Sequence, residues 1–327
     1  MAVYTHLGAE DLAALIANYD VGELVSAKGI AEGVSNSNWL IETTGPDGKG
    51  ARYILTMYER RIDLDDLPFF LDLMDHLAAK GCPVPRTIHD RDGASYRHID
   101  GKAVAMIEYL SGVSVDHPTA GQAYSVGKAL AQNHLSVADF GQSRVNDMAL
   151  AQWSATVERC GRDALAGIDP SLPVILDETL AGFAGSWPEN LPGGVVHCDL
   201  FPDNVLMLGD EVTGLIDFYF SASDAFAYDF AVTHAAWCFS GDGRSYRPEI
   251  GEALMAGYET IRQLGDEERA CLPLFARGAC VRFITSRAED WITTPADALV
   301  TRKDPMDFVR RLQFYGEHAS GLFARGK

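Results

Sequence analysis

The sequence lacks long apolar runs, closely paired cysteines and an excess of basic residues. No apolar run approaches the ~18 residues that a membrane-spanning helix requires, so no membrane segment is predicted. The N-terminal residues 1–20 contain no basic segment followed by an apolar one, which argues against a signal peptide. These absences together predict a soluble, cytoplasmic protein.

The six cysteines are scattered, and no two of them have the CxxC spacing that is typical of a zinc site. This pattern indicates reduced thiols in a cytoplasmic protein and disfavours a disulfide framework. The cysteines are Cys82, Cys160, Cys198, Cys238, Cys271 and Cys280.

Basic residues are outnumbered, since 27 Lys and Arg stand against 46 Asp and Glu and the formal charge is −19. Nucleic acids and anionic membranes bind basic surfaces, so neither is an expected partner. A nucleotide is still allowed, because one local cluster of cations together with Mg²⁺ can hold a triphosphate. With 47% hydrophobic residues in a chain of 327, there is enough core for one large or two modest domains.

Strand-like segments are concentrated in the first third of the chain, and helical periodicity dominates the rest. We predict strands at residues 39–43, 52–58 and 102–110, with a strand-like start at residue 23. The pattern changes at Ser111-Gly112, so the predicted domains are residues 1–110 and 111–327. Helices are predicted at residues 7–19, 65–80, 119–136, 148–165, 172–187, 224–238, 248–265, 267–291 and 304–323.

Two segments of the first domain have a pattern that suits a nucleotide. Gly29, Gly33 and Ser35 lie in the first connection, and small residues there let backbone N–H groups approach phosphate oxygens. The same pattern occurs in ordinary tight hairpins, so this interpretation depends on motifs further along the chain. The predicted hinge between the two domains, Glu108 to Gly112, is able to hydrogen-bond an adenine edge through its backbone, and Glu108 and Leu110 are its candidate contacts.

The most informative stretch is residues 195–220, VVHCDLFPDNVLMLGDEVTGLIDFYF. Its two apolar runs are separated by a Gly-Asp-Glu turn and predict a hairpin. His197, Asp199 and Asn204 precede the first run, and Asp217 follows the second. Because a hairpin returns the chain to one end, the two carboxylates and the amide are expected to lie close together.

These four residues have the order of the base and the magnesium ligands in eukaryotic-like kinases, H-x-D-x-x-x-x-N and then Asp-Phe. Asp199 is the predicted base, because an attacking hydroxyl must be oriented and must lose its proton. Asn204 and Asp217 offer the oxygen ligands that Mg²⁺ prefers. His197 is predicted to brace the loop by hydrogen bonding. Residues 139–141 also spell Asp-Phe-Gly, but they precede the motif, so no metal role is predicted for them.

The stretch resembles the aminoglycoside phosphotransferase and choline kinase superfamily, and the resemblance extends over nearly the whole chain. Within that superfamily the chain looks most like the bacterial homoserine kinases of the phosphotransferase type. The resemblance implies an α+β, protein-kinase-like bilobal fold, with a small antiparallel-sheet N-lobe and a larger, mainly helical C-lobe. Segments that carry the closer resemblance are residues 29–33, 35–38, 53–60, 67–70, 82–85, 136–140 and 282–287.

By resemblance, the first lobe binds the nucleotide and the second binds the acceptor and carries the base. The implied reaction transfers the γ-phosphate of ATP, with Mg²⁺, to the hydroxyl of L-homoserine, a step towards threonine. The implied base is Asp199, assisted by His197, and the implied metal ligands are Asn204 and Asp217. The predicted nucleotide contacts are Gly29, Gly33, Ser35, Thr56, Glu108 and Leu110, and the predicted acceptor contacts are Asn36, Arg282 and Arg287.

The acceptor contacts follow from the chemistry of an amino acid. An ammonium group needs an acid, and a carboxylate is best held by a forked arginine. Arg282 and Arg287 are five residues apart on a predicted helix, which is about 140° around its axis. We therefore do not expect both arginines to face one ligand.

One residue departs from the superfamily pattern. Relatives place a Lys on the third strand to hold the α- and β-phosphates, and the matching position here is Thr56, whose hydroxyl brings no charge. Lys28 lies beside the glycines, and Arg52 shares the strand face of Thr56 but is roughly 13 Å from it. Homoserine kinases of this type also carry Thr here, so the departure supports the closer resemblance.

Three alternatives remain open from the sequence. The first is a kinase acting on an aminoglycoside, choline or another hydroxylated amine, which the acidic composition favours. The second is a metal-dependent hydrolase that uses His197 and Asp199, although no second His/Asp cluster of suitable spacing is present. The third is a non-catalytic nucleotide-binding module, suggested by the missing lysine.

Overall fold

The structure, a computed structural model, describes residues 7–30, 36–59, 63–294 and 302–324. The chain divides into two units. The first consists of residues 1–112 together with 213–219, and the second of residues 113–212 together with 220–327. The division near residue 112 lies two residues after the predicted boundary, but residues 213–219 belong to the first unit and not, as predicted, to the second.

In its described residues, the first unit consists of a sheet and two helices. The helices are α1 (Ala9–Ile16) and α2 (Leu67–Ala79), and the strands are β1 (Leu24–Ile30), β2 (Asn36–Thr43), β3 (Ala51–Tyr58), β4 (Arg97–Ile99) and β5 (Lys102–Glu108). The strands form one antiparallel sheet in the order β1-β2-β3-β5-β4.

Alternation along β3 separates the face that carries Leu55 and Met57 from the face that carries Thr56. Leu55 and Met57 are fully buried in a core that they share with α1, and each such side chain contributes roughly 1.5–3 kcal/mol to stability. Since successive side chains of a strand point to opposite faces, Thr56 faces away from this core. The register of β2 and β3 places Thr56 beside Asn38.

Residues 213–219 are held in the first unit by contacts with the segments around α2 and β3. The Leu215 N–H donates a hydrogen bond to the Pro83 carbonyl at 2.6 Å. The Tyr219 ring lies edge-on against Phe70 of α2 and Tyr58 of β3, with ring centroids 5.8 and 5.3 Å away. The segment that carries Asp217 is therefore anchored to β3 and α2.

The second unit is mainly helical. The remaining helices are α3 (Ala120–Ser136), α4 (Leu150–Cys160), α5 (Arg162–Ile168), α6 (Leu172–Phe183), α7 (Phe226–Trp237), α8 (Pro248–Ile261), α9 (Asp266–Thr293) and α10 (Met306–Leu322). The remaining strands are β6 (Gly193–Val196), β7 (Val205–Leu208), β8 (Glu211–Leu215) and β9 (Ala222–Ala225). Strands β6 and β9 pair antiparallel, and β7 and β8 form the predicted hairpin, whose second strand contains the boundary between the units.

The predicted helices are observed with ends shifted by a few residues, apart from one. The single helix predicted at residues 148–165 is wrong, because the chain breaks into α4 and α5 at Gly161. Gly161 has a φ of 77°, a conformation that costs glycine little and other residues more, so it ends the first helix and redirects the chain. Strand β6 begins at Gly193-Gly194, two residues that give no strand signal.

Within the described residues, no helix is both long and apolar enough to cross a membrane. All six cysteines are free thiols.

Candidate active site

The loop that follows β6, residues 197–204, is hydrogen-bonded through its backbone to one buried carboxylate. Asp229, on α7, accepts hydrogen bonds from the backbone N–H groups of His197 at 2.9 Å and Cys198 at 2.7 Å. Cys198 has a φ of 61°, which is unfavourable for a residue with a side chain. The two hydrogen bonds to one carboxylate stabilise this turn and direct the next residue, Asp199.

A histidine supports Asp229 from its other side. His134 of α3 contacts Asp229 through Nε2 at 3.0 Å and Tyr258 through Nδ1 at 2.8 Å. Burial lowers the pKa of His134, although Asp229 opposes this, so a neutral ring donates to Asp229 and accepts from Tyr258. Burial raises the pKa of Asp229, but the hydrogen bond from His134 and the nearby His197 outweigh it and leave the pKa below its ordinary value. The carboxylate is therefore ionised.

Asp229→Asn is expected to destabilise the protein by about 3 kcal/mol, because one of two buried backbone donors would then face an amide N–H₂, and each unsatisfied donor costs roughly 1–3 kcal/mol. The measurement is the midpoint of urea unfolding. Asp163→Asn, which changes an exposed carboxylate on α5, is the control and is expected to unfold at the wild-type midpoint. Equal midpoints for both variants would contradict the support role of Asp229.

Asp199 and Asn204 are brought together by the loop. The amide Nδ2 of Asn204 donates to the Asp199 carbonyl at 2.8 Å and to its carboxylate Oδ2 at 3.3 Å. The Asp199 N–H donates to Nδ1 of His197 at 3.2 Å, and the Asp199 side chain is 17% exposed. His197 thus braces the loop, and Asp199 is reachable. Because the Nδ2 of Asn204 is used within the loop, its Oδ1 is the atom suited to a cation.

Arg282 of α9 lies against the same loop. Its guanidinium donates to the Cys198 carbonyl and is 3.6 Å from Oδ1 of Asp199. The side chain is buried and stacks on the Phe283 ring, 4.4 Å from its centroid. These contacts place a fixed positive charge beside Asp199.

Asp217 lies in the first unit, two residues after the end of β8. Its φ of 66° is again unfavourable for a residue with a side chain, and the turn Phe218–Phe220 follows it. The carboxylate is close enough to the hydroxyls of Tyr58 and Tyr219 to raise the pKa of both, in addition to the larger effect of burial. Non-glycine residues in this conformation cluster at functional sites.

Asn204 and Asp217 suit a hard cation by the type of their ligand atoms. Mg²⁺ takes carboxylate and amide oxygens and retains several waters, so it needs few protein ligands. Within the described residues, no group of three or more His, Cys, Asp or Glu residues is arranged to hold a metal.

Only some of the predicted nucleotide contacts lie within the described residues. Gly33 and Ser35 lie outside the described residues, while Gly29 lies in β1 opposite Trp39. Glu108 exchanges hydrogen bonds with Arg86, since its N–H donates to the Arg86 carbonyl at 2.8 Å and its Oε2 accepts from the Arg86 N–H at 3.2 Å. The side chain of Glu108 is therefore already hydrogen-bonded to another part of the protein.

Thr56 and Leu110 complete the predicted nucleotide set. Thr56 is buried and its hydroxyl donates to Oδ1 of Asn38 at 2.8 Å. Leu110 follows the end of β5 and is partly exposed. Arg52, a candidate for the missing cation, instead lies over the Tyr109 ring at 4.4 Å from its centroid.

The predicted acceptor contacts are not brought to one place by any described contact. Asn36 is 8% exposed, and its Oδ1 has no hydrogen-bond partner within the described part of the chain. Arg287 contacts α10 and the residues before it, donating to the Asp304 carbonyl at 3.2 Å and to Asp307 at 3.3 Å. Arg282 instead contacts the 197–204 loop. The described hydrogen-bond partners of the two arginines are different.

Sequence reasoning did not find Asp229, the residue that anchors the loop. A signal was present, because Asp229 is the one acid in the segment FAYDFAVTHAAW, all of which is buried. A charge inside such a segment needs a partner. What the sequence does not show is that the partner would be the backbone of residues 197 and 198.

Residues 26–270 match the sequence pattern of the Phosphotransferase enzyme family. The chain belongs to this family. It is 45% identical over 315 residues to the homoserine kinase of Xanthobacter autotrophicus, a match that covers 96% of each chain. It is also 45% identical over 327 residues to the homoserine kinase of a Caulobacter species, covering all of both chains.

Among solved structures, this phosphotransferase resembles an amicoumacin kinase in complex with AMP-PNP, Ca²⁺ and Ami. The TM-score is 0.69 at 14% identity, and the match covers 95% of this chain and 94% of the other. The likeness shows the fold. The predicted α+β, protein-kinase-like fold is confirmed, with an antiparallel sheet in the first unit and a mainly helical second unit.

Proposed function

We propose that this protein is a kinase that transfers the γ-phosphate of ATP to the hydroxyl of L-homoserine in a Mg²⁺-dependent reaction, a step of threonine biosynthesis. The observation that carries the proposal is the 197–204 loop, in which Asp199 is ionisable, reachable and hydrogen-bonded to Asn204. The nearly full-length relatives that are homoserine kinases support the acceptor.

The loop supplies the proton chemistry of this reaction. The Asp199 carboxylate accepts the proton of the acceptor hydroxyl while the hydroxyl oxygen bonds to the γ-phosphorus, and the bond from that phosphorus to the β–γ bridging oxygen breaks to release ADP. Asn204 holds Asp199 in orientation through its Nδ2. The positive charge of Arg282 offsets part of the negative charge of the Asp199 carboxylate.

Mg²⁺ would be held by Oδ1 of Asn204 and by the carboxylate of Asp217, and when bound it neutralises phosphate charge. Gly29, Gly33 and Ser35 would offer backbone N–H groups to the phosphates. The backbone between Glu108 and Leu110 would bind the adenine, since the side chain of Glu108 is already hydrogen-bonded to Arg86.

For the acceptor carboxylate, the contacts favour Arg287 over Arg282. Arg282 is bonded to the loop itself, so its removal would disturb the base directly. Burial lowers the pKa of Arg287 to about 10, with Arg311 as a second cause and with Asp199 and Asp203 among the carboxylates that oppose the shift. Arg287 is therefore a poorly solvated cation within electrostatic range of Asp199, which suits a carboxylate ligand. Asn36 stays a candidate acceptor contact because its Oδ1 is buried and has no hydrogen-bond partner among the residues that the structure describes.

Arg287→Lys is expected to raise the KM for homoserine about tenfold and to leave the KM for ATP unchanged, because lysine cannot make the forked contact. Arg282→Lys should instead lower kcat, since it perturbs the Cys198 turn. The matched control is Arg277→Lys, on the same helix but packed over Phe183. If the KM for homoserine were the same in the Arg287 and Arg277 variants, Arg287 would not be the carboxylate ligand.

The acceptor itself is tested by comparing phosphorylation of homoserine, choline and kanamycin in a coupled assay for ADP. We expect turnover with homoserine only. Preference for choline or kanamycin would replace the proposed acceptor within the same reaction class. ADP release that is independent of any acceptor would instead indicate a hydrolase.

We also infer that the protein works in the cytoplasm with ATP and a small-molecule acceptor as its partners, and without nucleic acid. The six free cysteines and the formal charge of −19 support this.

A further inference from the structure

A chain of hydroxyl groups connects β2 and β3 to the segment that carries Asp217. The hydroxyls of Tyr58 and Tyr219 are 2.8 Å apart. Tyr219 is also hydrogen-bonded to Thr56, and the Thr56 hydroxyl donates to Oδ1 of Asn38 at 2.8 Å. Hydrogen bonds thus join four side chains, from three segments of the first unit, one after another.

The direction of the chain follows from counting protons, because each hydroxyl has only one to donate. Thr56 gives its proton to Asn38, so Tyr219 donates to Thr56. Tyr58 must then donate to Tyr219. Tyr219 and Thr56 therefore each donate one hydrogen bond and accept one, while Tyr58 starts the chain as a donor and Oδ1 of Asn38 ends it as an acceptor.

The chain is uncharged. Phenols and aliphatic alcohols carry no charge at neutral pH, since the ordinary pKa of a tyrosine is about 10. Thr56 is only 3% exposed. A lysine at this position would bring a charge into a buried place whose partner is a neutral phenol, and burying an uncompensated charge is costly.

Tyr219 lies two residues from Asp217 in the same turn, so contacts that hold Tyr219 limit the movement of the backbone that carries the Asp217 carboxylate. The Asp217 backbone has a positive φ, and the turn needs outside support to keep it. Edge-on contacts of the Tyr219 ring with Tyr58 and Phe70 restrict the ring. The hydroxyl chain then fixes its rotation.

We propose that Tyr219 is a positioning residue for the metal ligand Asp217, and that Thr56 is the neutral link that joins Tyr219 to Asn38 in the hydroxyl chain. The inference rests on the proposed function only in that Asp217 holds Mg²⁺. A neutral hydrogen-bonded chain between β3 and the Asp217 turn then holds that turn in place. This chain needs no cation at position 56.

The test measures nucleotide binding without any acceptor. Isothermal titration calorimetry with AMP-PNP is carried out across a range of Mg²⁺ concentrations on wild type, Tyr219→Phe and Thr56→Val. Both substitutions remove one hydroxyl and keep the side-chain shape. Each variant is expected to bind Mg²⁺-AMP-PNP about tenfold more weakly, which corresponds to one or two lost hydrogen bonds. For Tyr219→Phe, binding of AMP-PNP without Mg²⁺ should be unchanged.

The matched control is Tyr53→Phe, which removes a phenol from the same strand outside the chain, and it should bind Mg²⁺-AMP-PNP as the wild type does. The double variant of Tyr219 and Thr56 should be no weaker than either single one, since both break the same chain. Equal affinity of the Tyr219 and Tyr53 variants, or equal weakening with and without Mg²⁺, would overturn the inference. Because no acceptor is present, a failure of homoserine as substrate would leave this result unaffected.

Discussion

Asp199→Asn is expected to lower kcat for homoserine phosphorylation roughly a thousandfold, within the range that a general base contributes. The amide has nearly the shape of the carboxylate, so it keeps the place of residue 199 beside Asn204, but it cannot accept the hydroxyl proton. The loop is held by Asp229 and Arg282 through backbone atoms of other residues, so its structure should survive. The rate is measured by coupled detection of ADP at saturating substrates.

Two controls accompany this variant. Calorimetry with Mg²⁺-AMP-PNP should show nearly wild-type affinity, which separates lost chemistry from lost nucleotide binding. Asp203→Asn changes the neighbouring, exposed carboxylate of the same loop, whose partner is Lys303 at 3.5 Å, and should retain most activity. A near-normal rate for Asp199→Asn would show that another group takes the proton.

Asp217→Ala is expected to weaken Mg²⁺-AMP-PNP binding by on the order of a hundredfold or more, because even residues that only support metal ligands contribute tenfold to a hundredfold. The loss should be confined to titrations with Mg²⁺, since the side chain would contact the cation and not the nucleotide. Its magnitude should exceed that of Tyr219→Phe, which leaves the ligand present but less restricted.

The control for Asp217→Ala is Glu211→Ala, which removes an exposed carboxylate at the start of β8 and changes the net charge equally. It should bind Mg²⁺-AMP-PNP as the wild type does. Unaltered affinity of Asp217→Ala would refute its role as a metal ligand. A similar loss in the Glu211 variant would show that the effect comes from overall charge.

Much of the fold was predictable because the signals are local. Thr119 begins α3 with a capping box, in which its hydroxyl accepts from the Gln122 N–H and the Gln122 side chain accepts from the Thr119 N–H. Both residues lie within one turn, so the sequence predicts the helix start. The break at Gly161 was also local, but a single glycine is tolerated inside many helices, and the sequence does not show which glycine adopts a positive φ.

The sequence by itself determined the candidate chemistry of this protein, because Asp199 and Asn204 lie five residues apart in one loop and Asp217 follows the next hairpin. Tertiary structure alone decided what holds these residues. Asp229 lies 32 residues from His197, Arg282 lies 84 from Cys198, and Tyr219 lies 161 from Tyr58. Local periodicity carries no information about pairs so far apart, since packing of whole helices and strands brings them together. For the same reason Thr56 was only a missing lysine in the sequence, and it is one link of a neutral hydroxyl chain in the structure.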